Sequence, residues 1–328
     1  MDECINFGVY GSTTSNWLAN IELDDIVFIS QFNYKSQCIY GPFKVSETMF
    51  YDKKIIYPNK KYFYRIKIKL KNSKKIEETD IYLYGINHKK QQISVRLINL
   101  IQQNKHLHNI NLTEEEGKFI LSVVNEFGVK TSNAEESLLI NSKTQQVDLN
   151  FLKTKNNLAK KSYFSSECDL ETYIILSLKT KNQLYKELDQ ILQQPNNNLN
   201  DSIIYNQFVL GNAYPSDLVI LNTDNVNIFE LKKDQITKVH IGTIKKEIKK
   251  YCLYSLHSER LNQTKKRIIF YLICLKSDYK IYKNIYKNFE KIIKTLNANE
   301  AKQITLKILE YQIKDKKLFF NTIQHIKN

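Results

Sequence analysis

The stretch YPSDLVILNTDNVNIFELKKD, residues 214–234, decides how the C-terminal half folds. Its two flanks, 217–221 and 226–232, are rich in Val, Ile, Leu and Phe, and the NTDN between them is turn chemistry, so a β-hairpin is expected. A loop symmetric about the midpoint of Thr223 and Asp224 places Asp217 directly opposite Glu230. Cross-strand partners have Cβ atoms roughly 4.5–5.5 Å apart, and like charges there oppose pairing. Something positive is therefore expected between them. Side chains alternate along a strand, so Val226, Ile228, Glu230 and Lys232 share one face while Phe229 and Leu231 enter the other. Lys232 then points to the side of both carboxylates.

Two hard oxygen ligands beside an amine are the parts of a Mg²⁺-dependent phosphodiesterase. Mg²⁺ takes one or two protein carboxylates and completes its shell with water and phosphate. A lysine can hold the attacking water and offset charge developing on the phosphate. The plainer alternative is a surface hairpin with a stray Asp and a Glu-x-Lys pair; the opposition of the acids, the preceding Pro215-Ser216 and the apolar strands favour the metal site.

With Pro215-Ser216-Asp217 as the first half and Glu230-Leu231-Lys232 as the second, the stretch resembles the PD-(D/E)XK nuclease superfamily, and most of all its RecB-like and NucS-like branches. The resemblance covers roughly residues 160–315 and implies an α/β restriction-endonuclease-like domain with a mixed central sheet. It implies that Asp217, Glu230 and the Leu231 carbonyl bind Mg²⁺, for which Mn²⁺ can substitute, and that Lys232 positions the water. It also implies an upstream helical glutamate. In SSECDLETYIILSL, residues 165–178, Ser165 or Ser166 can cap a helix. Glu167, Leu170, Ile174 and Leu178 follow 3-4-4 spacing, which places Glu167 on the buried side; Glu171, one turn on, is its rival. The family's next helix carries Gln-x-x-x-Tyr, where this chain has Glu247-x-x-x-Tyr251, leaving the role of Glu247 open. RIIFYLICL, residues 267–275, suits a central buried strand.

The chain has 328 residues, enough for two domains, and at 42% hydrophobic it can bury real cores. Its 49 Lys plus Arg against 34 Asp plus Glu leave a net charge of +15, which favours a polyanion partner such as DNA. A Lys-, Asn- and Ile-rich composition can also reflect a biased genome. Five cysteines, far apart and odd in number, argue against a disulfide framework, and no Cys/His spacing suggests zinc; Cys274 reads as a core thiol. There is no Walker-type glycine loop. No run approaches the roughly 20 apolar residues of a membrane span, and the start lacks a signal-like segment, so a cytoplasmic protein is expected. His106 and His108 read as solvated, and His240 near a helix start as solvated or facing the cleft.

Residues 1–100 read as all-β. In KKYFYRIKIKL, Tyr62, Tyr64, Ile66, Ile68 and Leu70 share one face while Arg65, Lys67 and Lys69 form a basic one, and YLYGI and QISVRLINLI continue the strands. LTEEEGKFILSVVNEFG is then a helix capped by Thr113, with Phe119, Ile120, Val123 and Val124 as its stripe, ending at Gly128. FGVYGSTTSNWLANIELDDIVFI followed by CIYGPFKVSE, within roughly residues 5–125, resembles the PUA-like group with EVE, YTH and DCD-type domains. That resemblance implies a β-rich barrel that reads nucleic acid, with a flipped or modified base in a pocket of Tyr10, Ser12, Asn16 and Trp17. Trp17 could instead plug one end of the barrel.

The expected organisation is a β-rich PUA-like reader over 1–130, a linker over 131–160 and a nuclease domain over 161–328. Residues 277–296 read as an amphipathic helix with a lysine face that either tracks phosphate or solubilises; Lys245, Lys246, Lys249 and Lys250 are the better DNA contacts. The expected activity is Mg²⁺-dependent DNA endonuclease cleavage in restriction of foreign DNA, with modified bases a candidate target and a homodimer implied if both strands are cut. A structure-specific repair nuclease and a non-catalytic nucleic-acid-binding protein are the alternatives.

Overall fold

The computed structural model describes Cys4 and residues 7–32, 37–57, 60–70, 72–103, 110–131, 144–192, 199–210, 215–261, 266–301 and 303–323. His106, His108 and the linker residues 132–143 lie outside the described residues. The protein is mixed α/β and divides into two compact units, Met1–Val147 and Asp148–Asn328, each with its own sheet.

The first unit runs β1 (Val9–Ser12), α1 (Asn16–Ala19), β2 (Ile26–Phe32), β3 (Gln37–Tyr51), β4 (Tyr64–Lys69), β5 (Lys74–Glu77), α2 (Glu78–Asn87), α3 (Gln91–Gln103), α4 (Glu114–Phe127), β6 (Val129–Lys130) and β7 (Gln145–Gln146). All its strand pairs are antiparallel, and the 15-residue β3 is the spine. β2 and β5 flank its first half, while β4 and β7 flank its second. The Thr113 cap forms as the sequence predicts: Thr113 and Glu116 make a reciprocal capping box, and Phe119, Ile120, Val123 and Val124 are buried.

Two expectations for this unit fail. YLYGI and QISVRLINLI are not strands but the helices α2 and α3. Ile81 and Tyr84, and Ile93, Leu97 and Ile101, recur at helical spacing and pack with Phe119 and Val123 of α4. Gly85 lets the two helices meet, since a Cβ there would lie 2.5 Å from Ser94 Oγ. The basic face expected of β4 also fails at Arg65, which is fully buried. Its guanidinium donates to Asp52 Oδ2 at 2.5 Å, to Tyr62 O at 2.9 Å and to Lys54 O, so the buried charge is paired and its donors are used.

The second unit runs α5 (Leu149–Lys155), α6 (Glu167–Lys179), α7 (Gln183–Leu192), β8 (Ile203–Val209), β9 (Pro215–Leu221), β10 (Asn225–Gln235), α8 (Ile241–His257), β11 (Arg267–Leu275), α9 (Tyr279–Ile293), α10 (Ala298–Ala301), β12 (Ile304–Lys314) and β13 (Lys317–Ile323). The expected linker is thus partly structured: β7 pairs with β3 of the first unit, and α5 is capped by Asp148. The sheet order is β13-β12-β11-β10-β9-β8, with β10, β11 and β12 parallel and the flanking pairs antiparallel. β11 is central and nearly all buried, as its apolar run predicts. Val226 and Ile228 of β10 face the core made with Ile244 and Ile248 of α8 and Ile281 and Ile285 of α9. Phe229 stacks on Tyr271 at 4.7 Å, and α6 packs against β10. The apolar stripe of α9 is buried, with Lys280, Lys283, Lys287, Lys291 and Lys294 exposed.

Removing Asp52 leaves the Arg65 charge buried without its counter-ion. Asp52→Ala is expected to cost about 3–5 kcal/mol of stability, and Asp52→Ala combined with Arg65→Met to recover most of it, both read by urea unfolding.

Candidate active site

β9 and β10 pair with the predicted register, Leu221 opposite Val226 through Leu218 opposite Phe229. The next step would place Asp217 against Glu230, and there the strands part. The β10–β11 ladder is also interrupted, between Leu231 and Gln235. β10 therefore loses β9 and breaks register with β11 at one place, where Asp217, Glu230 and Lys232 come together. An open α/β sheet holds its ligands outside the carboxyl ends of its parallel strands.

Each charged group there is held by a specific contact. Asp217 Oδ2 accepts from the Leu231 N–H at 2.7 Å. Lys232 Nζ donates to Glu230 Oε1 at 2.5 Å and lies 3.5 Å from Glu247 Oε1 on α8. Glu247 thus enters the site through the lysine. Tyr251, one turn on, donates from its hydroxyl to Pro215 O at 2.9 Å, tying α8 to the strand that carries Asp217.

The helical acid requires a correction. Glu167 is exposed in the first turn of α6, whereas Glu171 is buried and accepts from Gln207 Nε2 at 2.7 Å. The same nitrogen lies 3.5 Å from Asp217 Oδ1. The 3-4-4 pattern misled because α6 is covered on nearly every side: Asp169 through Ile175 are all buried, so apolar spacing does not mark one inward face. Glu167 still acts at a distance, adding to the negative potential at Asp217 and Lys232. Gln207 was missed, and its only sequence signal is the polar pair Asn206-Gln207 in a strand of otherwise apolar and aromatic residues.

Charge crowding sets the protonation states. Burial and then the Glu171 carboxylate push Asp217 up to about 8, against the Leu231 N–H and Lys232. Burial and then Asp217 raise Glu230 well above the carboxylate range. For Lys232, burial favours the neutral amine, but Glu230 and Glu247 outweigh it and keep the ammonium charged. Burial and then Glu230 raise Tyr251, so it stays a phenol.

The donor set is all oxygen, the chemistry Mg²⁺ selects. Glu247 Oε2 is a buried acceptor with no hydrogen-bond donor among the described residues, and such an atom calls for a cation or water. Among the described residues no three of His, Cys, Asp and Glu form a ready-made metal cage. A cation here would lean on one or two carboxylates, as Mg²⁺ does. A strand residue directs its N–H and C=O the same lateral way, so the Leu231 carbonyl faces the edge where Asp217 takes its N–H.

The remaining candidates are placed as follows. Lys245, Lys246 and Lys249 are exposed on α8, while Lys250 is half-buried and feels Glu247 and Glu230. His240 is exposed and caps Thr237. Cys274 is a fully buried thiol. In the first unit, the four residues of the expected base pocket do not share the one cavity described. Tyr10 lines a cavity of about 490 Å³ with Phe28, Leu97, Leu100 and Asn111, but Ser12, Asn16 and Trp17 are not in its wall. Ser12 and Asn16 are buried and bridged through Thr14, at 3.2 and 2.7 Å, so their polar groups fold the local turn. Trp17 is half-buried on α1.

No protein-family model matches the chain, and neither a curated protein nor a solved structure matches it. Among the described residues no helix is long and apolar enough to cross a membrane.

The raised carboxyls give a stability test. An unfolded Asp titrates near 3.9, so between about pH 4 and pH 8 the folded chain binds more protons than the unfolded one. Stability contributed by these protons is present below that window and is lost as pH rises through it. The metal-free protein is expected to melt lower at about pH 8 than at about pH 5, and Asp217→Asn to flatten the difference. Mg²⁺ should raise the melting temperature more at the higher pH, because it binds the deprotonated form.

Proposed function

We propose that the second unit is a Mg²⁺-dependent DNA endonuclease of the PD-(D/E)XK type, built on a restriction-endonuclease-like fold. The observation that carries this reading is the convergence of Asp217, Glu230 and Lys232 where β10 loses β9 and breaks register with β11. In hydrolysis, water adds to phosphorus and gives up a proton to solvent, while the bond to the departing deoxyribose oxygen breaks and that oxygen takes a proton from solvent. Asp217, Glu230 and the Leu231 carbonyl would hold the ion, with Mn²⁺ as a substitute. A bound Mg²⁺ supplies Lewis-acid polarisation of the phosphate.

The chain's own groups do the rest. Lys232 stays protonated, so it serves as a hydrogen-bond donor and positive charge toward the incoming water and the phosphate oxygens, not as the base. Glu171 supports Asp217 from α6, through Gln207, and takes the role first expected of Glu167. Glu247 helps hold the lysine head over the site. Lys245, Lys246 and Lys249, exposed on the helix that carries Glu247, suit contacts to the DNA backbone, and the net charge of +15 favours the same partner.

The first unit would select the DNA, in the manner of a PUA-like reader and with modified bases as a target, in a cytoplasmic restriction enzyme. One such site cuts one strand, so double-strand cleavage would take a homodimer or two successive nicks.

Cleavage of matched plasmids, unmodified and carrying cytosine or adenine modifications, tests the reading. EDTA should abolish cutting, and Mg²⁺ or Mn²⁺ should restore it. Lys232→Ala should lower the rate at least about 10²–10³-fold. Glu171→Gln should cost about 10–100-fold, and exposed Glu167→Gln no more than about threefold. Cutting that persists in EDTA, or in Lys232→Ala, would overturn the assignment; equal cutting of all plasmids would remove the modified-base target alone.

A further inference from the structure

Gln207 has a backbone that its position in a strand does not explain. Its φ of 49° is left-handed, and the other described non-glycine residues with positive φ, such as Asp24, Asn157 and Asp315, sit in turns. The β8–β9 ladder is regular on both sides, pairing Asn206 with Leu218 and Phe208 with Ser216. Long unbranched side chains do not favour the left-handed region, so the surroundings must impose it, and residues strained in this way cluster at functional sites.

The side chain indicates what is gained. Phe208 belongs to the core under α8 and α9, whereas the Gln207 amide reaches Glu171 on α6. Its amide, 7% exposed, stands between Glu171 and Asp217, with Nε2 at 2.7 Å from one and 3.5 Å from the other. An NH₂ group has two hydrogens, one for each carboxylate. A lysine here would also satisfy both acids, but its charge would compete with any cation they bind. A leucine would satisfy neither. A neutral amide bridges the two acids and leaves their negative charge in place.

We propose that Gln207 is a positioning residue that holds Glu171 and Asp217 together as a carboxylate pair for a divalent cation. The proposal rests on the metal-dependent reading above, and it accounts for a left-handed residue inside a strand.

The test is Mn²⁺ binding to the metal-free, full-length protein, measured by the electron paramagnetic resonance of free Mn²⁺ alongside thermal unfolding. Gln207→Gly keeps the left-handed backbone free of cost but lacks the amide. It should bind Mn²⁺ about 10–100-fold more weakly than wild type, the range for loss of a group that orients a metal ligand. Gln207→Asn tolerates the same backbone with an amide one methylene short and should fall between the two; it decides the question if the glycine variant does not fold. Asp217→Asn should abolish binding. Wild-type Mn²⁺ affinity in a folded Gln207→Gly, even with a lowered melting temperature, would mark a purely structural role and overturn the proposal while leaving the metal site standing. Absence of Mn²⁺ binding by wild type would overturn both.

Discussion

Carboxylates that converge in a half-buried cluster repel one another, and the second unit is organised around containing that repulsion. Asp217 and Glu230 come from adjacent strands, Glu171 from one covering helix and Glu247 from another. Against them stand the ammonium of Lys232, with Lys250 more distant, the backbone N–H of Leu231 and the amide of Gln207. Taking an ion out of water costs several kcal/mol even after relaxation, and these donors do not offset the whole charge. The raised carboxyls at Asp217 and Glu230 are the direct result. A proton removes the excess at low pH; a divalent cation would remove it without neutralising the ligands, which is the physical basis for reading the cluster as a metal site. The left-handed backbone at Gln207, costing of order 1–3 kcal/mol, belongs to the same balance.

Buried charge does not by itself mark chemistry, and the first unit supplies the contrast. Arg65 is more deeply buried than any of the acids in that cluster, yet its donors end on Asp52 and two backbone carbonyls. Glu116 is fully buried as well, but it closes the capping box of α4 and lies 3.0 Å from Arg96 Nε. Both are closed arrangements of one cation and its acceptors. The second unit differs in bringing several acids close enough to raise the carboxyls of Asp217 and Glu230.

Legibility followed the range of the interactions. The hairpin register was legible because turn symmetry and strand alternation are local, and Lys232 duly meets Glu230. The Thr113 cap, the buried run of β11 and the apolar stripe of α9 were legible for the same reason. Where an element is wrapped on several sides, the pattern lost its meaning. α6 buries Asp169 through Ile175 without a break, so spacing alone chose Glu167 over Glu171. α2 and α3 carry β-branched residues that a pairing partner could have drawn into strands, but the cluster with α4 holds them as helices. Ser12 and Asn16, placed in a pocket by the PUA-like resemblance, also hold their own turn through Thr14, a role their local sequence did not announce.

The sequence by itself determined the hairpin, its register and the presence of two acids and a lysine on one side of it, since each depends on neighbours a few residues away. Only the tertiary structure decided which helical acid joins them, that Glu247 reaches the lysine and that Gln207 links two elements. Those choices turn on where β10 parts from β9 and breaks register with β11 and on which helix covers that place, and both are set by packing among segments far apart in the chain.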